Sequence, residues 1–138
     1  MDSIPLHVPS ARIGTDPGEE YRCMLIIESD DVLRRTTTRQ FQALKWNVIS
    51  AHDLKSGLEL AIRYQPSVII SDLALPDAAG YGFARTLRTL IDHDIRVVGM
   101  TTDPENLCAE VRAAGFDLVF AKPLDVAQTH EQLGRKAK

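Results

Sequence analysis

Three short runs of apolar residues recur along the chain, and polar residues follow each of them. They are CMLII at 23–27, PSVII at 66–70 and IRVVGM at 95–100. Continuous apolar runs of this length predict strands that are covered on both faces, as in a parallel sheet. Two weaker runs of the same kind, WNVIS at 46–50 and FDLVFA at 116–121, bring the predicted strands to five.

The segments between these runs have the spacing of helices. Four apolar residues would share one face of a helix over 54–64: Leu54, Leu58, Ala61 and Ile62. Asp103 followed by Pro104 predicts the start of another helix, with the aspartate carboxylate as its cap. Helices are also predicted over three further segments, 31–44, 81–91 and 124–138.

Strands that alternate with helices predict an α/β fold. Each crossover between parallel strands needs a long, right-handed return, so the helices must cover both faces of the sheet. We therefore predict a three-layer, doubly wound domain with five parallel strands. The 138 residues suit one domain over 21–138, and the mixture of Pro, Gly, Ser and charged residues in 1–20 predicts a flexible N-terminal arm.

Composition and charge exclude some functions. A hydrophobic content of 44% with 25% charged residues predicts a globular core, and a net charge of -3 predicts no direct binding to nucleic acid or membranes. No signal peptide or long apolar run is recognisable, so the expected location is cytoplasmic. Cys23 and Cys108 are predicted to be buried thiols rather than a disulfide or metal site. The histidines are predicted to lie on the surface or in loops: His7, His52, His93 and His130.

Polar residues follow the predicted strands at the edge of the sheet where ligands bind in such folds. They are Glu28-Ser29-Asp30-Asp31, Asp72, Thr101-Thr102 and Lys122-Pro123. Carboxylates can hold Mg²⁺ beside phosphate oxygens, a lysine can pair with phosphate charge, and an aspartate can accept a phosphoryl group. This combination indicates phosphoryl transfer, with Asp72 as the nucleophile and a divalent cation offsetting the clustered charge.

Most of these residues also have a structural interpretation. Asp30 or Asp31 could cap the first helix, Thr101 could simply end a strand, and Lys122 could be a surface lysine. Asp72 is harder to explain, because a carboxylate after an apolar run is costly to bury without a partner. No glycine-rich phosphate loop follows the first strand, which argues against a nucleotide- or flavin-binding enzyme.

The order of these residues resembles the receiver domains of two-component response regulators. The resemblance covers roughly Arg22 to Pro123. Glu28-Ser29 stands at the position of the family's acidic pair, and Asp72, Pro76 and Gly80 match its D-x-x-x-P-x-x-x-G pattern. Thr101 matches its hydroxyl residue, and Lys122-Pro123 matches its Lys-Pro pair. The resemblance implies a flavodoxin-like (βα)5 fold with strand order 2-1-3-4-5 and a cis peptide bond before Pro123.

The resemblance also implies roles for individual residues. Asp72 would accept a phosphoryl group from a histidine kinase or a histidine phosphotransfer protein in a phosphorelay. Lys122 would contact the phosphoryl oxygens, and Thr101 would move towards them. The implied Mg²⁺ ligands are Glu28, Asp72, the backbone carbonyl of Ala74, and either Asp30 or Ser29. The domain would be a signalling module rather than an enzyme, with Mg²⁺-dependent phosphotransfer and autodephosphorylation chemistry.

Two positions depart from the family pattern. Ser29 stands where the family normally has a metal-binding aspartate, and a neutral hydroxyl is a poorer ligand for a hard cation. Val119 stands where many receivers have an aromatic switch residue, and Phe120 should point to the other face of its strand. Ser29 leaves open a second function, a phosphorylation-independent interaction or dimerisation module. The expected partners are a downstream protein or a fused output domain, with a homodimer as a further alternative.

Overall fold

A five-stranded parallel sheet forms the centre of the computed structural model, which describes residues 23–78 and 81–134, except for the side chains of 104 and 106–108. The strands are β1 (Cys23–Ile27), β2 (Asn47–Ala51), β3 (Val68–Asp72), β4 (Arg96–Thr101) and β5 (Leu118–Ala121). Their order in the sheet is β2-β1-β3-β4-β5, with all neighbours parallel. The predicted fold and strand order are confirmed, whereas the N-terminal arm predicted over 1–20 lies outside the described residues.

A helix follows each strand. The helices are α1 (Asp31–Ala43), α2 (Leu54–Tyr64), α3 (Phe83–Leu90), α4 (Pro104–Ala113) and α5 (Val126–Gly134). Asp30 caps α1, because its Oδ1 accepts a hydrogen bond from the Leu33 N–H at 2.9 Å. Within the two described stretches, none of the helices has the length and apolar character that a membrane crossing requires.

The predicted cap at α4 is wrong. Asp103 precedes the helix, but its side chain makes no capping hydrogen bond. Its backbone at φ -139°, ψ 66° departs from the extended conformation usual at a cap. The Asp103 N–H donates instead to Thr101 Oγ1 at 3.1 Å, so a short turn joins the end of β4 to the helix.

The sheet separates two apolar layers, because successive side chains of a strand point to opposite faces. One layer packs the sheet against α2, α3 and α4, and the other packs it against α1 and α5. In β1, Cys23, Leu25 and Ile27 belong to the first layer, whereas Met24 and Ile26 belong to the second. In β5, Val119 packs on the first layer and Phe120 on the second, as predicted.

Helix α2 shows where the helical pattern and the actual buried face differ. Its buried residues are Gly57, Ala61 and Tyr64, while Leu54 and Leu58 pack at the margin of the core. The predicted place of Ile62 on the buried face is wrong: its side chain is 53% exposed, since Ile62 follows Ala61 by about 100° around the helix. Gly57 allows α2 to approach β1 closely, because a Cβ at that position would lie 2.5 Å from Ile27 Cδ1.

Trp46 and His130 connect the start of β2 to the last helix, α5. Trp46 precedes β2 and donates its indole N–H to Nδ1 of His130 on α5 at 3.0 Å. The two rings meet edge to face, at 85°. The predicted surface or loop position of His130 is therefore wrong: a buried tryptophan N–H needs an acceptor, and this half-buried histidine supplies it.

Candidate functional site

The carboxyl edge of the sheet brings together the residues that the sequence had placed at strand ends. In the register of β1 and β3, Ile27 lies opposite Ser71, so Glu28 and Asp72, the next residues, lie side by side. Thr101 ends β4, and the N–H of Lys122, just after β5, donates to the Thr101 carbonyl at 2.8 Å. All four residues therefore lie at one edge of the sheet.

Glu28 is only 2% exposed and is held from several directions. Its N–H donates to the Ala51 carbonyl at 3.0 Å, and its carbonyl accepts from Arg34 at 2.9 Å. Its Oε2 accepts from the Asp30 N–H at 2.9 Å. Its Oε1 lies 2.9 Å from Lys122 Nζ and has no well-directed hydrogen bond among the described residues. One buried oxygen of Glu28 is thus held mainly by charge.

Asp72 is buried beside Glu28, with its side chain 7% exposed. Its Oδ1 accepts a hydrogen bond from the Ala74 N–H at 3.0 Å and lies 3.4 Å from Lys122 Nζ. The Leu73 N–H donates to the Met100 carbonyl at 2.9 Å, which attaches the following loop to β4. The proposed acceptor therefore has a fixed orientation before any ligand arrives.

Lys122 is the counter-charge for both carboxylates, and it is not the surface lysine of the structural interpretation. Its side chain is 15% exposed and its ammonium contacts Glu28 and Asp72. Burial on its own lowers the pKa of Lys122, but the contact with Glu28 and the charges of Asp72 and Glu28 outweigh burial, so its pKa is raised. The ammonium stays protonated at neutral pH and, among the residues that the structure describes, is the one cation that contacts both carboxylates.

Thr101 lies at the same edge but its hydroxyl is directed to its own loop. It is 7% exposed, and Oγ1 accepts from the Asp103 N–H at 3.1 Å. A threonine hydroxyl has one donor and two acceptor positions, so this contact leaves its O–H able to donate. In the described part of the chain, Thr101 is therefore close to the site without bonding to Asp72.

The expected metal ligands are only partly brought together. Glu28 and Asp72 share one ammonium, whereas the Asp30 carboxylate is exposed and caps α1, and Ser29 is exposed. No three His, Cys, Asp or Glu side chains within 23–78 and 81–134 form a metal-binding group. Mg²⁺ commonly takes one or two carboxylates plus water and phosphate oxygens. The buried Oε1 of Glu28, held mainly by charge, fits such a site with few protein ligands.

The structure adds one residue that the sequence did not single out. Asp77, in the loop after Asp72, accepts hydrogen bonds from the Leu54 and Lys55 N–H groups at 2.9 Å and 3.1 Å. These partners lie 23 and 22 positions away, so no local periodicity indicates the contact. The peptide bond between Lys122 and Pro123 is cis, as expected, and Gly80 lies outside the described residues.

Comparison with protein families gives one match over most of the chain. A model of the response regulator receiver domain matches residues 24–134. The KDP operon transcriptional regulatory protein KdpE of Escherichia coli is 29% identical over 110 residues, which are 80% of this chain and 48% of KdpE. The probable transcriptional regulatory protein TcrX of Mycobacterium tuberculosis is 27% identical over 107 residues, 76% of this chain and 45% of TcrX. The chain thus spans about half the length of these relatives.

Solved structures agree on the fold. A receiver domain described as CheY-like, from Methylobacillus flagellatus, has a TM-score of 0.73 at 22% identity, covering 81% of this chain and 95% of that one. A response regulator from Burkholderia pseudomallei has a TM-score of 0.70 at 23% identity, covering 84% and 76%. The latter structure contains a phosphorylated aspartic acid, a calcium ion and citrate. At these identities the likeness concerns the fold alone.

Proposed function

The chain belongs to the response regulator receiver domain family, and we propose that it accepts a phosphoryl group on Asp72 and thereby switches the binding of a partner. The observation that carries this proposal is the contact of one ammonium, that of Lys122, with the buried carboxylates of Asp72 and Glu28. A purely structural pair would need one carboxylate. The second one gives the site an excess negative charge that suits a divalent cation.

The proposed step is a transfer from phosphohistidine to aspartate. A carboxylate oxygen of Asp72 attacks phosphorus, the new O–P bond forms an acyl phosphate, and the P–N bond breaks with its electron pair going to the imidazole nitrogen. Lys122 Nζ already lies 3.4 Å from Asp72 Oδ1, so the ammonium can contact the phosphoryl oxygens and stabilise their negative charge during the transfer. The positions of Glu28 and Asp72 are set by the backbone, which lowers the cost of orienting them.

A divalent cation completes the proposal. Glu28, Asp72 and the carbonyl of Ala74 would hold it, with Asp30 or Ser29 as the further candidate ligand. The bound cation would neutralise charge on the transferring phosphoryl group. We propose Mg²⁺ as this cation; the calcium ion in the Burkholderia pseudomallei relative supports a divalent cation in general. Because Asp30 caps α1 and Ser29 is neutral, we expect weak affinity before the phosphoryl group arrives.

The conformational response would begin at Thr101. Its hydroxyl now accepts from the Asp103 N–H, in the turn that leads into α4. A phosphoryl oxygen on Asp72 would offer the Thr101 O–H a charged acceptor, and the hydroxyl would move towards it and away from Asp103. The ring rotation of an aromatic switch residue is not available to Val119, so this response relies on the β4–α4 turn. Such a change biases two pre-existing states rather than creating a new one.

The proposed partners follow from the family. A histidine kinase or histidine phosphotransfer protein would supply the phosphoryl group. A downstream protein, a fused output domain or a second copy of the chain would read the change. KdpE and TcrX, named as transcriptional regulators, are about twice as long as the matched segment, which supports an output domain in those proteins. We further propose a cytoplasmic location and no direct contact of this acidic domain with nucleic acid.

Intact-mass spectrometry after incubation with acetyl phosphate and Mg²⁺ tests the acceptor. The wild type should gain one phosphoryl group, and Asp72→Asn should gain none. Asp92→Asn is the matched control, since that aspartate is exposed and follows α3 at the opposite edge. An unmodified wild type, both with acetyl phosphate and with phosphorylated histidine kinases, would refute the proposal.

A second candidate is an interaction module that takes no phosphate. It is favoured by the partial neutralisation of the site, because Lys122 lies closer to Glu28 than to Asp72, at 2.9 Å against 3.4 Å. A Mg²⁺ titration followed by amide chemical shifts separates the candidates. No saturable response up to roughly 10 mM would favour the interaction module. Trp46 fluorescence is a poor probe, because Trp46 precedes β2 at the far edge of the sheet.

A further inference from the structure

Asp77 joins the loop after the acceptor to the start of α2. Its Oδ1 accepts from the Leu54 N–H at 2.9 Å and its Oδ2 accepts from the Lys55 N–H at 3.1 Å. Two bonds from one carboxylate define an orientation as well as a distance. The contact also places a negative charge at the positive end of the helix macrodipole.

The Asp77 carboxylate completes the hydrogen bonding of this helix end. The first four N–H groups of a helix have no partner within it. Here Asp77 accepts from Leu54 and Lys55, and the Asp53 side chain accepts from Ser56 at 2.9 Å. The regular helical bonds then begin with the Gly57 N–H, which donates to the Asp53 carbonyl at 3.0 Å. Asp53 is a local cap, whereas Asp77 comes from a different loop. Both carboxylates serve the same helix end, but Asp77 alone ties it to the acceptor loop.

The loop between Asp72 and Asp77 is consequently held at both ends. At its start, Leu73 donates its N–H to Met100 and packs over Gly99, where a Cβ would lie 2.8 Å from Leu73 Cδ2. At its end, Asp77 is bonded to α2. Ala74 lies between these attachments and donates its N–H to Asp72 Oδ1 at 3.0 Å. Leu75, which lies between Ala74 and Asp77, is also buried in the core, so the position of Ala74 depends on both attachments together with the packing of Leu75.

We propose that Asp77 is a positioning residue for the acceptor site: through α2 it holds the loop so that Ala74 keeps its place beside Asp72. This inference rests on the proposed function for its chemical consequence, but the attachment itself is independent of phosphorylation. Removing the carboxylate leaves two helix N–H groups without their acceptor and frees the far end of the loop. The position of Ala74 beside Asp72 is then less tightly held, although its own N–H still bonds to Asp72, and the cation and phosphoryl group meet a less ordered site.

Asp77→Ala and Asp53→Ala form a matched pair of variants. Each removes one carboxylate from the start of α2, so both should lower stability by similar amounts, but Asp77→Ala alone releases the acceptor loop. We expect Asp77→Ala to raise the Mg²⁺ concentration for half-maximal phosphorylation by about tenfold, as for other supporting residues of metal sites. Asp53→Ala should change it less than about twofold. Asp77→Asn, which keeps one acceptor oxygen, should restore part of the loss.

Amide chemical shifts and hydrogen exchange in metal-free protein test the attachment separately. Asp77→Ala should increase exchange at Leu54 and Lys55 and shift the Ala74 amide, whereas Asp53→Ala should act at Ser56 and leave Ala74 unchanged. An Ala74 amide that responds equally to both variants would overturn the inference, as would equal Mg²⁺ dependence. If the wild type takes neither Mg²⁺ nor phosphate, the proposed function fails, and the Ala74 amide still decides whether Asp77 positions this loop.

Discussion

The two edges of the sheet use similar charged residues in different ways. At the carboxyl edge, the Lys122 ammonium contacts two carboxylates, those of Glu28 and Asp72, and each carboxylate also accepts one backbone N–H. At the amino edge, Arg88 also contacts an aspartate, Asp117, at 2.7 Å. There, however, most of the remaining hydrogen bonds of the pair go to the backbone.

At the amino edge, charged and polar side chains bind mainly to backbone groups. Arg88 donates to the carbonyls of Gly115 and Ile95, and Asp117 Oδ2 accepts from the Val97 N–H at 2.8 Å. Gln65 acts in the same way nearby, donating to the Leu90 carbonyl and accepting from the Asp92 N–H. These side chains satisfy backbone groups that strands and helices leave open, which stabilises the connections between them.

A cavity of about 450 Å³ lies at the amino edge, lined by Arg88, Asp94, Ile95, Arg96, Asp117 and Leu118. Its volume would suit a small ligand, yet the Arg88–Asp117 pair on its wall is already bonded to backbone groups. At the carboxyl edge, by contrast, the Lys122 ammonium contacts two carboxylates. The partners of the cation, more than the size of a cavity, therefore distinguish the proposed acceptor edge from the amino edge.

Among the variants that test this difference between the edges, Lys122→Met should have the largest effect on stability and on phosphorylation. Without the ammonium, the buried Glu28 carboxylate has no counter-charge, so the free energy of unfolding should fall by about 3 kcal/mol. Phosphorylation should slow about a hundredfold, because the phosphoryl oxygens lose a preorganised cation. Urea denaturation and intact-mass kinetics measure the two effects. The exposed Lys55→Met is the control, and a similar result for both variants would contradict the functional use of the pair.

Arg88→Ala should affect stability alone. We expect a loss of about 2 kcal/mol, since the substitution leaves the Gly115 and Ile95 carbonyls without their charged donor. Phosphorylation of the folded protein should stay within about twofold of the wild type, because Arg88 lies at the opposite edge. Arg85→Ala removes a single exposed bond to the Ala113 carbonyl and should cost less than about 1 kcal/mol. A large loss of phosphorylation in Arg88→Ala would show that the amino edge influences the chemistry at the carboxyl edge.

Ser29→Asp should add a negative charge to the carboxyl edge. A third carboxylate near the cation should raise the Mg²⁺ affinity about tenfold, close to 1.4 kcal/mol. Amide chemical shifts during a Mg²⁺ titration measure this change. Ser29→Asn adds a side chain of similar size without charge and should leave the affinity nearly unaltered. Equal affinities for the two variants would place the cation away from Ser29.

The smallest effect should be the pH dependence of the Lys122 contacts. The pKa of Lys122 is raised above its ordinary value of 10.5, so the ammonium binds its proton more tightly in the folded state than in the unfolded one. Its stabilising contribution is therefore complete below pH 10.5 and lost as the pH rises through the raised value. The difference in unfolding free energy between wild type and Lys122→Met should stay constant from pH 7 to about pH 10 and shrink above it. A difference that shrinks already near neutral pH would contradict this assignment.

Much of the fold could be predicted because its signals are local. Apolar runs identified the five strands, and the bounds predicted for α2, 54–64, match those observed. Of the two candidate caps, Asp30 and Asp31, Asp30 caps α1; such a candidate is recognisable because a cap requires only a side chain and an N–H three residues on. The members of the site were predictable for a related reason. In a parallel sheet, the ends of successive strands meet at one edge, so the order along the chain already places Glu28, Asp72, Thr101 and Lys122 together.

Contacts between distant segments were decided by the tertiary structure alone. The Trp46–His130 hydrogen bond spans 84 positions, and the bonds of Asp77 to α2 span 22 and 23. Ile62 is exposed because the packing of α2 on β1 is centred on Gly57 and Ala61. Asp103 does not cap α4, and its backbone there departs from the extended conformation usual at a cap. Each outcome depends on distances and angles between elements, to which hydrogen bonds and side-chain packing are sensitive. The sequence by itself determined which residues reach the carboxyl edge of the sheet, and the tertiary structure decided which of their atoms meet.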